Sequence, residues 1–202
     1  MVLATWGMEL WPANEVRTER FVLRPYAVDD AAALLEAIGD SQAELLPWMP
    51  WAVELGTIEE RREFVQGRID ALATARAEAI DGVASGEIVY GIWLGDRLVG
   101  GTGIHDRNAA NEREIGYWTR TSHVGTGVAT EISRALTTES FRNPAIDLAL
   151  INCDIGNRAS AAIPVKLGYE LVEETFRLRE APGERRLTQT RVMRRANWNL
   201  ET

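Results

Sequence analysis

The sequence predicts an α/β (α+β) fold, in which a mixed, mostly antiparallel twisted sheet carries helices on both faces. The first observation is composition, since 202 residues with 46% apolar and 26% charged side chains suit a globular chain with a substantial core. The second is hydrophobic periodicity, which alternates between strand-like and helix-like segments in the order βααβββαβαββ. The third is continuity, because no internal repeat or low-complexity linker divides the chain. We therefore expect one domain over residues 1–202, with one strand–helix–strand crossover that is parallel and right-handed.

The amino-terminal half predicts one strand, two helices and irregular connections between them. Phe21 and Leu23 alternate with arginines, as on a half-buried strand. Two aspartates at 29–30 favour the positive end of a helix, and Thr57 with Glu60 forms a capping-box pattern that starts another. The predicted segments are a strand over 20–26, a helix over 29–39, a short capped turn over 41–44, a proline-interrupted stretch over 45–52 and a helix from 57 that ends around 81–86.

The carboxy-terminal half predicts the remaining strands and the crossover. The dipeptide Gly95-Asp96 is typical of a hairpin turn, and the nearly continuous apolar run over 146–155 is typical of a strand covered on both faces. Gly125 and Gly127 precede a helix whose apolar residues recur with helical spacing. The predicted segments are strands over 88–94, 97–104 and 114–119, a helix over 128–141, a strand over 146–155, a helix over 157–167, and strands over 169–177 and 187–194.

Composition excludes several classes of function. The formal net charge of −8 disfavours binding to nucleic-acid phosphates and suits a cationic partner such as an amine. No apolar run approaches the roughly 18 residues of a membrane span, and the first residues lack the pattern of a signal peptide. Cys153 is the single cysteine, so we expect a reducing, cytoplasmic location and no internal disulfide. One cysteine and two histidines leave no cluster for a metal site.

The segment from Trp118 to Thr130 carries the clearest functional signal. Gly125 and Gly127 lie between a predicted strand and a predicted helix, where unpaired backbone amides and the helix dipole suit a phosphate or diphosphate. The second glycine is followed by Val128 rather than lysine, which disfavours a Walker loop, and the third position of a dinucleotide-binding fingerprint is not glycine. An ordinary glycine-rich turn without a ligand remains the alternative.

This segment resembles the signature of the GNAT superfamily of N-acetyltransferases, which reads Gln/Arg-x-x-Gly-x-Gly/Ala. The run Val124-Gly-Thr-Gly-Val-Ala129 matches it at the last glycine and the alanine, and departs from it at Val124 and Thr126. The resemblance implies that backbone amides of the loop bind the diphosphate of acetyl-CoA, with Arg120 or Arg158 as candidate compensating cations. It assigns to the coenzyme the loop residues Val124, Gly125, Thr126, Gly127, Val128, Ala129 and Thr130.

Three further blocks resemble the ribosomal-protein N-terminal acetyltransferases of the RimJ/RimL branch, in the expected order. They are Thr18-Glu-Arg-Phe-Val-Leu-Arg-Pro25, Glu114-Ile-Gly-Tyr-Trp118, and Cys153-Asp-x-x-Asn157-x-x-Ser160 followed by Lys166-Leu-Gly-Tyr169. The resemblance implies the GNAT fold, in which one central parallel strand pair is splayed around the acyl-CoA. It also implies direct transfer of the acetyl group, without a covalent enzyme intermediate.

The chemistry of amide formation needs a proton acceptor near the amine and a group that stabilises the departing thiolate. Glu114 is the candidate base, because the resemblance puts it on the strand that carries the acetyl group. Glu112 and His105 remain alternatives, and a solvated strand-edge glutamate is the simpler interpretation of Glu114. Ser160 is the candidate hydrogen-bond donor to the thiolate.

The remaining site residues follow from the resemblance. Asn157 contacts the pantetheine arm in this interpretation, although asparagine is also a common helix N-cap. Backbone amides near Trp118 and Thr119 are expected to hold the acetyl carbonyl. The loop with Trp48 and Trp51 borders the acceptor pocket, or else covers the sheet as a hydrophobic plug. The substrate-binding set is Trp48, Trp51 and His105, while Cys153 and Tyr169 are assigned to packing.

The sequence therefore indicates an acetyl-CoA-dependent N-acetyltransferase that acts on a primary amine, either a protein N-terminus or a small amine. The alternative is a catalytically silent, coenzyme-A-binding protein that keeps the fold. A dinucleotide oxidoreductase is a second rival. Nucleic acid, membrane and metal are not expected as partners, and a homodimer is left open.

Overall fold

The structure, a computed structural model, describes residues 11–77, 87–107 and 109–200. Within these residues eight strands form one sheet in the order β1-β2-β3-β4-β5-β6-β8-β7. The mixed, mostly antiparallel sheet with helices around it is the fold class that the sequence predicts. The strands are β1 (Val16–Arg17), β2 (Val22–Pro25), β3 (Ile88–Leu94), β4 (Arg97–His105), β5 (Glu112–Thr119), β6 (Leu148–Asp154), β7 (Glu170–Phe176) and β8 (Leu187–Arg194).

Five α-helices accompany the sheet in the described residues, and each lies where the sequence predicts a helix or a capped turn. None of the described helices is both long enough and apolar enough to cross a membrane. The stretch around 81–86, expected to end the second long helix, lies outside the described residues. The helices are α1 (Ala31–Gly39), α2 (Gln42–Leu45), α3 (Ile58–Ala77), α4 (Val128–Arg142) and α5 (Arg158–Lys166).

The first five strands pair antiparallel in chain order, and α1, α2 and α3 lie in the long connection between β2 and β3. Gly95 turns the chain between β3 and β4 with φ of 57°, in the left-handed region that glycine adopts without steric cost. The two-residue β1 is an addition to the predicted pattern; two residues are too few to show a periodicity. The hairpin predicted at Gly95-Asp96 is confirmed.

The central parallel pair of strands is joined by α4, as the crossover pattern predicts. β5 and β6 are paired only over Glu112–Glu114 and Leu148–Leu150. β5 continues to Thr119 and β6 to Asp154, yet no pairing between them continues beyond that point. The two strands therefore separate in mid-sheet, which is the splay implied by the family resemblance.

The order of the last two strands departs from what chain order alone suggests. β8 lies between β6 and β7, and it pairs with all seven residues of β6. Its residues Val192 and Met193 are buried, whereas every residue of β7 except Thr175 is exposed. Because apolar burial stabilises the inner position, the later strand takes the place beside the central pair.

The core is divided between the two faces of the sheet. On one face Ile132 and Leu136 of α4 pack with Tyr90 and Ile151 of the strands. On the other face the helices α1 and α3 pack against β3 and β4. Each large apolar side chain removed from water contributes about 1.5–3 kcal/mol, so both helical layers are held to the sheet. The buried residues of the second face are Tyr26, Leu34, Ala37, Ile38, Val65, Trp93 and Leu98.

Candidate active site

A cleft of about 680 Å³ opens where β5 and β6 separate, and it extends to the face covered by α1 and α3. Side chains alternate along strands, so Glu114, Gly116 and Trp118 of β5 share this face with the residues paired to them on β4. Those partners are His105, Gly103 and Gly101. Three of these six residues are glycines, which have no side chain to project into the cleft.

The carboxylate of Glu114 lies at the point of separation. Glu114 Oε2 accepts a hydrogen bond of 3.0 Å from Nδ2 of Asn152, which belongs to β6 beyond its paired segment. This contact bridges the two diverging strands. Asn152 Oδ1 is buried and has no hydrogen-bond partner among the described residues. Glu112, the sequence's alternative base, does not line the cleft.

His105 lies beside Glu114 on the cleft floor and is held by a second carboxylate. Its Nδ1 is 2.5 Å from Oε2 of Glu87, the residue that precedes β3. Glu87 is also within 3.3 Å of Arg68 on α3 and within 3.6 Å of Arg107. In the described residues no hydrogen bond is formed by Nε2, the second ring nitrogen of His105.

The protonation of this pair follows from its surroundings. Burial lowers the pKa of His105, and the charge of Arg107 lowers it further, although Glu87 and Glu114 act in the opposite direction. Burial acts to raise the pKa of Glu87, yet the hydrogen bond from His105 and the nearby cations lower it on balance. The imidazole is therefore neutral and the carboxylate charged near pH 7.

Hydroxyl groups line the opposite wall, on the side of α5. Tyr117 Oη lies 3.2 Å from Oγ of Ser160 and 3.2 Å from its carbonyl oxygen. Burial raises the pKa of Tyr117, so the phenol stays protonated and can donate. Burial also raises the pKa of Cys153, which keeps this cleft-lining residue as a thiol rather than a nucleophilic thiolate.

Asn157 combines the two roles that the sequence leaves in competition. Its Oδ1 accepts a hydrogen bond of 3.1 Å from the amide of Ser160, so it caps α5. Its Nδ2 makes no hydrogen bond in the described residues, and the residue lines the cleft. One amide oxygen thus stabilises the helix while the NH₂ group is available to a ligand.

The glycine-rich turn before α4 presents free amides at the surface. Gly125 and Gly127 have φ of 78° and 87°, so both positions are strained for any residue with a Cβ. The amides of Gly127, Val128 and Ala129 meet no acceptor within the described part of the chain. The amide of Thr126 is engaged by the carbonyl of His123 at 3.4 Å. The turn therefore offers an anion the positive end of α4.

The cation beside this turn is Arg20, which the sequence reasoning did not consider. Its Nη1 donates to the carbonyl of Thr126 at 3.0 Å, and its Nε donates to Glu131 at 2.7 Å. Arg120, a candidate compensating cation, is instead 4% exposed at its side chain and paired with Glu36 and Asp40. Arg158, the other candidate, is exposed and forms no side-chain bond in the described residues.

Aromatic side chains cover one end of the cleft. The rings of Trp51 and Trp118 meet edge to face with centroids 6.1 Å apart, and Trp48 lines the same cleft. The connection between β7 and β8 contacts the loop that carries Trp48 and Trp51, because the amide of Gly183 donates to the carbonyl of Pro47 at 2.8 Å. The tryptophan loop and this connection are therefore joined at this end of the cleft.

Among the cleft residues that the sequence reasoning did not consider are Asn152, Glu87 and Glu180. Asn152 had a signal, since a polar residue inside an apolar strand needs a buried partner. Glu87 had none, because it meets His105 only after β3 and β4 pair. Glu180 also lines the cleft, but it comes from the connection between the last two strands. Among the described residues no group of three or more His, Cys, Asp or Glu could hold a metal ion.

Comparison with known proteins identifies the same architecture. The family model described as the acetyltransferase (GNAT) domain matches residues 20–170. The chain is 27% identical over 152 residues to the protein named "Putative ribosomal N-acetyltransferase YdaF" of Bacillus subtilis (strain 168), which covers 75% of this chain and 78% of that one.

Two solved structures have the same fold. The RimL ribosomal L7/L12 alpha-N-protein acetyltransferase in complex with coenzyme A superposes with a TM-score of 0.76 and 21% identity, over 89% of this chain and 97% of that one. The microcin C7 self-immunity acetyltransferase MccE, in complex with acetyl-CoA and AMP, superposes with a TM-score of 0.74 and 18% identity, over 87% and 93% of the two chains.

Proposed function

Since the chain belongs to the GNAT family of acetyltransferases, we propose that it transfers the acetyl group of acetyl-CoA directly to a primary amine, and that this amine is a protein N-terminus. The observation that carries the proposal is the separation of β5 and β6 at Glu114, with the free amides of α4 following on the same crossover. A diphosphate at that helix start directs the attached thioester into the gap between the strands.

The residues present fit acetyl-CoA. The amides of Gly127, Val128 and Ala129 suit its diphosphate, and Arg20 supplies a positive charge beside them. Asn157 Nδ2 suits a carbonyl of the pantetheine arm. The bound coenzyme supplies an activated acetyl thioester, whose departing sulfur needs stabilisation. Ser160, supported by Tyr117, is the hydroxyl that we assign to the sulfur.

The acetyl oxygen is assigned to the backbone of β5. The amide of Arg120 donates to Val99 on β4, so alternation along the strand directs the amide of Thr119 to the opposite edge, toward the gap. A donor preorganised in that way stabilises negative charge that develops on the oxygen. The cleft carboxylate Glu114 accepts a proton from the attacking nitrogen, and the Asn152 amide holds that carboxylate in place.

A protein N-terminus is favoured over a small amine by two observations. The names of relatives identify ribosomal N-acetyltransferase activity and an alpha-N-protein acetyltransferase acting on ribosomal L7/L12. Trp48, Trp51 and Glu180 of the connection between β7 and β8 line the cleft, and we assign this end of it to the residues that follow the N-terminal amine of a peptide. The net charge of −8 attracts a basic protein and disfavours nucleic acid.

We extend the proposal to a cytoplasmic location without membrane contact, supported by the single cysteine.

The test is release of free thiol from acetyl-CoA against a panel of N-terminal peptides and small amines. Turnover with unblocked peptides, and none with the same peptides carrying a blocked N-terminus, supports the proposal. Turnover on lysine side chains or small amines alone overturns the assignment of the acceptor. Calorimetric binding of acetyl-CoA without turnover on any acceptor favours the silent coenzyme-binding alternative.

A further inference from the structure

The overall reaction removes two protons from the acceptor, and the proposed function uses only one proton acceptor. A protein N-terminus has a pKa of about 7.7–8.0, so much of it is an ammonium at neutral pH and must lose one proton before it can attack. The nitrogen loses its second proton as the amide forms. One of the two protons ends on the thiol of coenzyme A and the other is released. A cleft that binds the ammonium form therefore benefits from two acceptors.

The cleft contains a second acceptor in the pair formed by Glu87 and His105. Nδ1 of His105 lies 2.5 Å from Oε2 of Glu87. A charged carboxylate in that position accepts the Nδ1 proton, which leaves Nε2 as the nitrogen with a free lone pair. The partner of His105 on the next strand is Glu114, so the free nitrogen belongs to the same patch of floor as the proposed base.

A paired set of glycines makes room for the imidazole. Gly103 and Gly116 face each other on β4 and β5, and a Cβ built on either would lie 3.1 Å from Nε2 of His105. That contact is tighter than nine in ten real Cβ contacts, so a side chain at either position would displace the ring by a few tenths of an ångström. The side chain of His105 is 12% exposed, and the cleft is its route to solvent.

The charges around the ring keep it able to accept a proton. Burial and Arg107 lower the pKa of His105, while Glu87 and Glu114 oppose them, and Arg68 of α3 reaches Glu87 rather than the ring. A neutral imidazole near pH 7 can take up a proton, and the carboxylates on both sides stabilise the imidazolium that results.

We propose that His105 accepts the first proton of the bound ammonium, and that Glu87 is the positioning residue that holds the imidazole with Nε2 toward the cleft. This inference rests on the proposed function. Nε2 takes the proton and the nitrogen keeps its electron pair, which forms the bond to the acetyl carbon. The carbon–sulfur bond breaks with its electrons on sulfur, and the second proton passes from nitrogen to Glu114. The thiolate of coenzyme A takes up the proton carried by Glu114, and the imidazolium releases the first proton to solvent.

The first test is the pH dependence of kcat/KM for an unblocked peptide. His105→Asn keeps a donor for Glu87 but removes Nε2, so only the free-amine fraction of the peptide can react and kcat/KM at pH 7 should fall about tenfold. The loss should shrink as pH rises past the pKa of the peptide amine, because the free amine then needs no first acceptor. A loss of the same size at every pH would mean that His105 is only structural, and would overturn the inference.

The second test measures the protonation of His105 beside Glu87 directly. The chain contains only two histidines, so nuclear magnetic resonance of the imidazole nitrogens gives two titrations, and His123→Gln assigns them. The wild-type His105 should be the Nδ1–H tautomer. Glu87→Gln removes a charge that raises the pKa of His105, so its titration should move to lower pH. Arg107→Ala removes a charge that lowers it, so the titration should move to higher pH.

The acid limb of the pH profile of kcat/KM should move to lower pH in Glu87→Gln and to higher pH in Arg107→Ala, as the titration of His105 does. Titrations that stay in place in both variants, or an Nε2–H tautomer in the wild type, would overturn the inference. A wild-type protein that turns over no amine would instead overturn the proposed function, while the titrations would still report whether Glu87 holds His105.

Discussion

Glu114 stands where the central strands separate, and its carboxylate is tied to the neighbouring strand by the amide of Asn152. Replacement of Glu114 by glutamine keeps an oxygen for that contact but removes the proton acceptor. We expect kcat to fall about 10²-fold while KM for acetyl-CoA changes little, because Glu114 lies near the start of β5 whereas the turn before α4 follows the end of that strand. Thiol release under saturating acetyl-CoA measures the effect.

Glu112 provides the matched control for that substitution. It precedes Glu114 by two residues on the same strand, yet it does not line the cleft. Glu112→Gln should therefore retain kcat close to the wild-type value. Equal losses in the two variants would contradict the assignment of Glu114 and would point to a general effect of charge on this strand.

Arg20 is the residue that we expect to replace the missing cation of the family signature at Val124. Arg20→Ala removes one charge-assisted contact to the diphosphate, worth about 1.5–3 kcal/mol when well formed. The guanidinium is 41% exposed at its side chain, so the lower end of that range applies and Kd for coenzyme A should rise about tenfold. Calorimetry with coenzyme A measures the change.

Two comparisons separate a phosphate contact from a structural role of Arg20. Pantetheine lacks the diphosphate, so its affinity should be unchanged by Arg20→Ala. Glu131→Gln removes the ionic partner of Arg20 but leaves the guanidinium in the chain. If Glu131→Gln weakens coenzyme A binding as much as Arg20→Ala does, the arginine acts by holding the start of α4 and not by binding the ligand.

At the scale of the element, the start of α4 depends on a glycine. Gly127 is the N-cap residue with φ of 87°, and a Cβ there would lie 3.3 Å from Nη2 of Arg20. Gly127→Ala should lower the free energy of unfolding by about 1–2 kcal/mol through the left-handed backbone. It should also weaken coenzyme A binding, because the helix amides and Arg20 must shift. Denaturant unfolding and calorimetry report the two effects.

The β3–β4 hairpin supplies the control for backbone strain alone. Gly95 has φ of 57° and nothing within 4 Å of a Cβ built on it. Gly95→Ala should cost a similar free energy of unfolding and leave coenzyme A affinity unchanged. A loss of affinity in Gly95→Ala as large as in Gly127→Ala would show that global destabilisation, and not the geometry of α4, controls binding.

At the scale of the molecule, the prediction of one domain over 202 residues has a thermodynamic consequence. The eight strands of the described residues share one sheet, so unfolding should be a single transition that coincides between fluorescence and circular dichroism. Acetyl-CoA at 100 times its Kd should add about 2.7 kcal/mol of stability. Two separate transitions would contradict the single domain.

The same thermal experiment tests the dinucleotide rival, since NAD should leave the midpoint unchanged while acetyl-CoA raises it by several degrees. Repeating it over a range of protein concentrations addresses the homodimer that the sequence leaves open. A midpoint that rises with protein concentration indicates an assembly, because association then contributes to stability.

Local patterns were sufficient for most elements and for the glycine-rich turn before α4. Helices with an apolar stripe and a capping residue, such as α4 and α5, depend on interactions within a few residues of sequence. The turn at Gly125 and Gly127 is equally local, since its free amides arise wherever a helix starts. Asn157 and Ser160 follow from one short motif at the start of α5.

Contacts between distant segments were beyond the reach of local patterns. The insertion of β8 between β6 and β7 depends on which strand buries more apolar surface, and both strands have similar sequence patterns. Arg120 has the charge needed to bind a phosphate, but it forms salt bridges with Glu36 and Asp40, which are far from it in sequence. Arg20 meets the turn before α4 only because the fold brings the turn between β1 and β2 near that helix.

The sequence by itself determined the order of helices and strands, the glycine-rich turn before α4 and the family of the chain, because these depend on residue spacing. Only the tertiary structure decided which groups meet in the cleft. Glu87 precedes β3 and Asn152 lies on β6, on either side of β4 and β5, and they meet His105 and Glu114 through strand pairing and through the gap that opens beyond Leu150. Proton acceptors act over about 3 Å, and only the folded sheet sets distances on that scale.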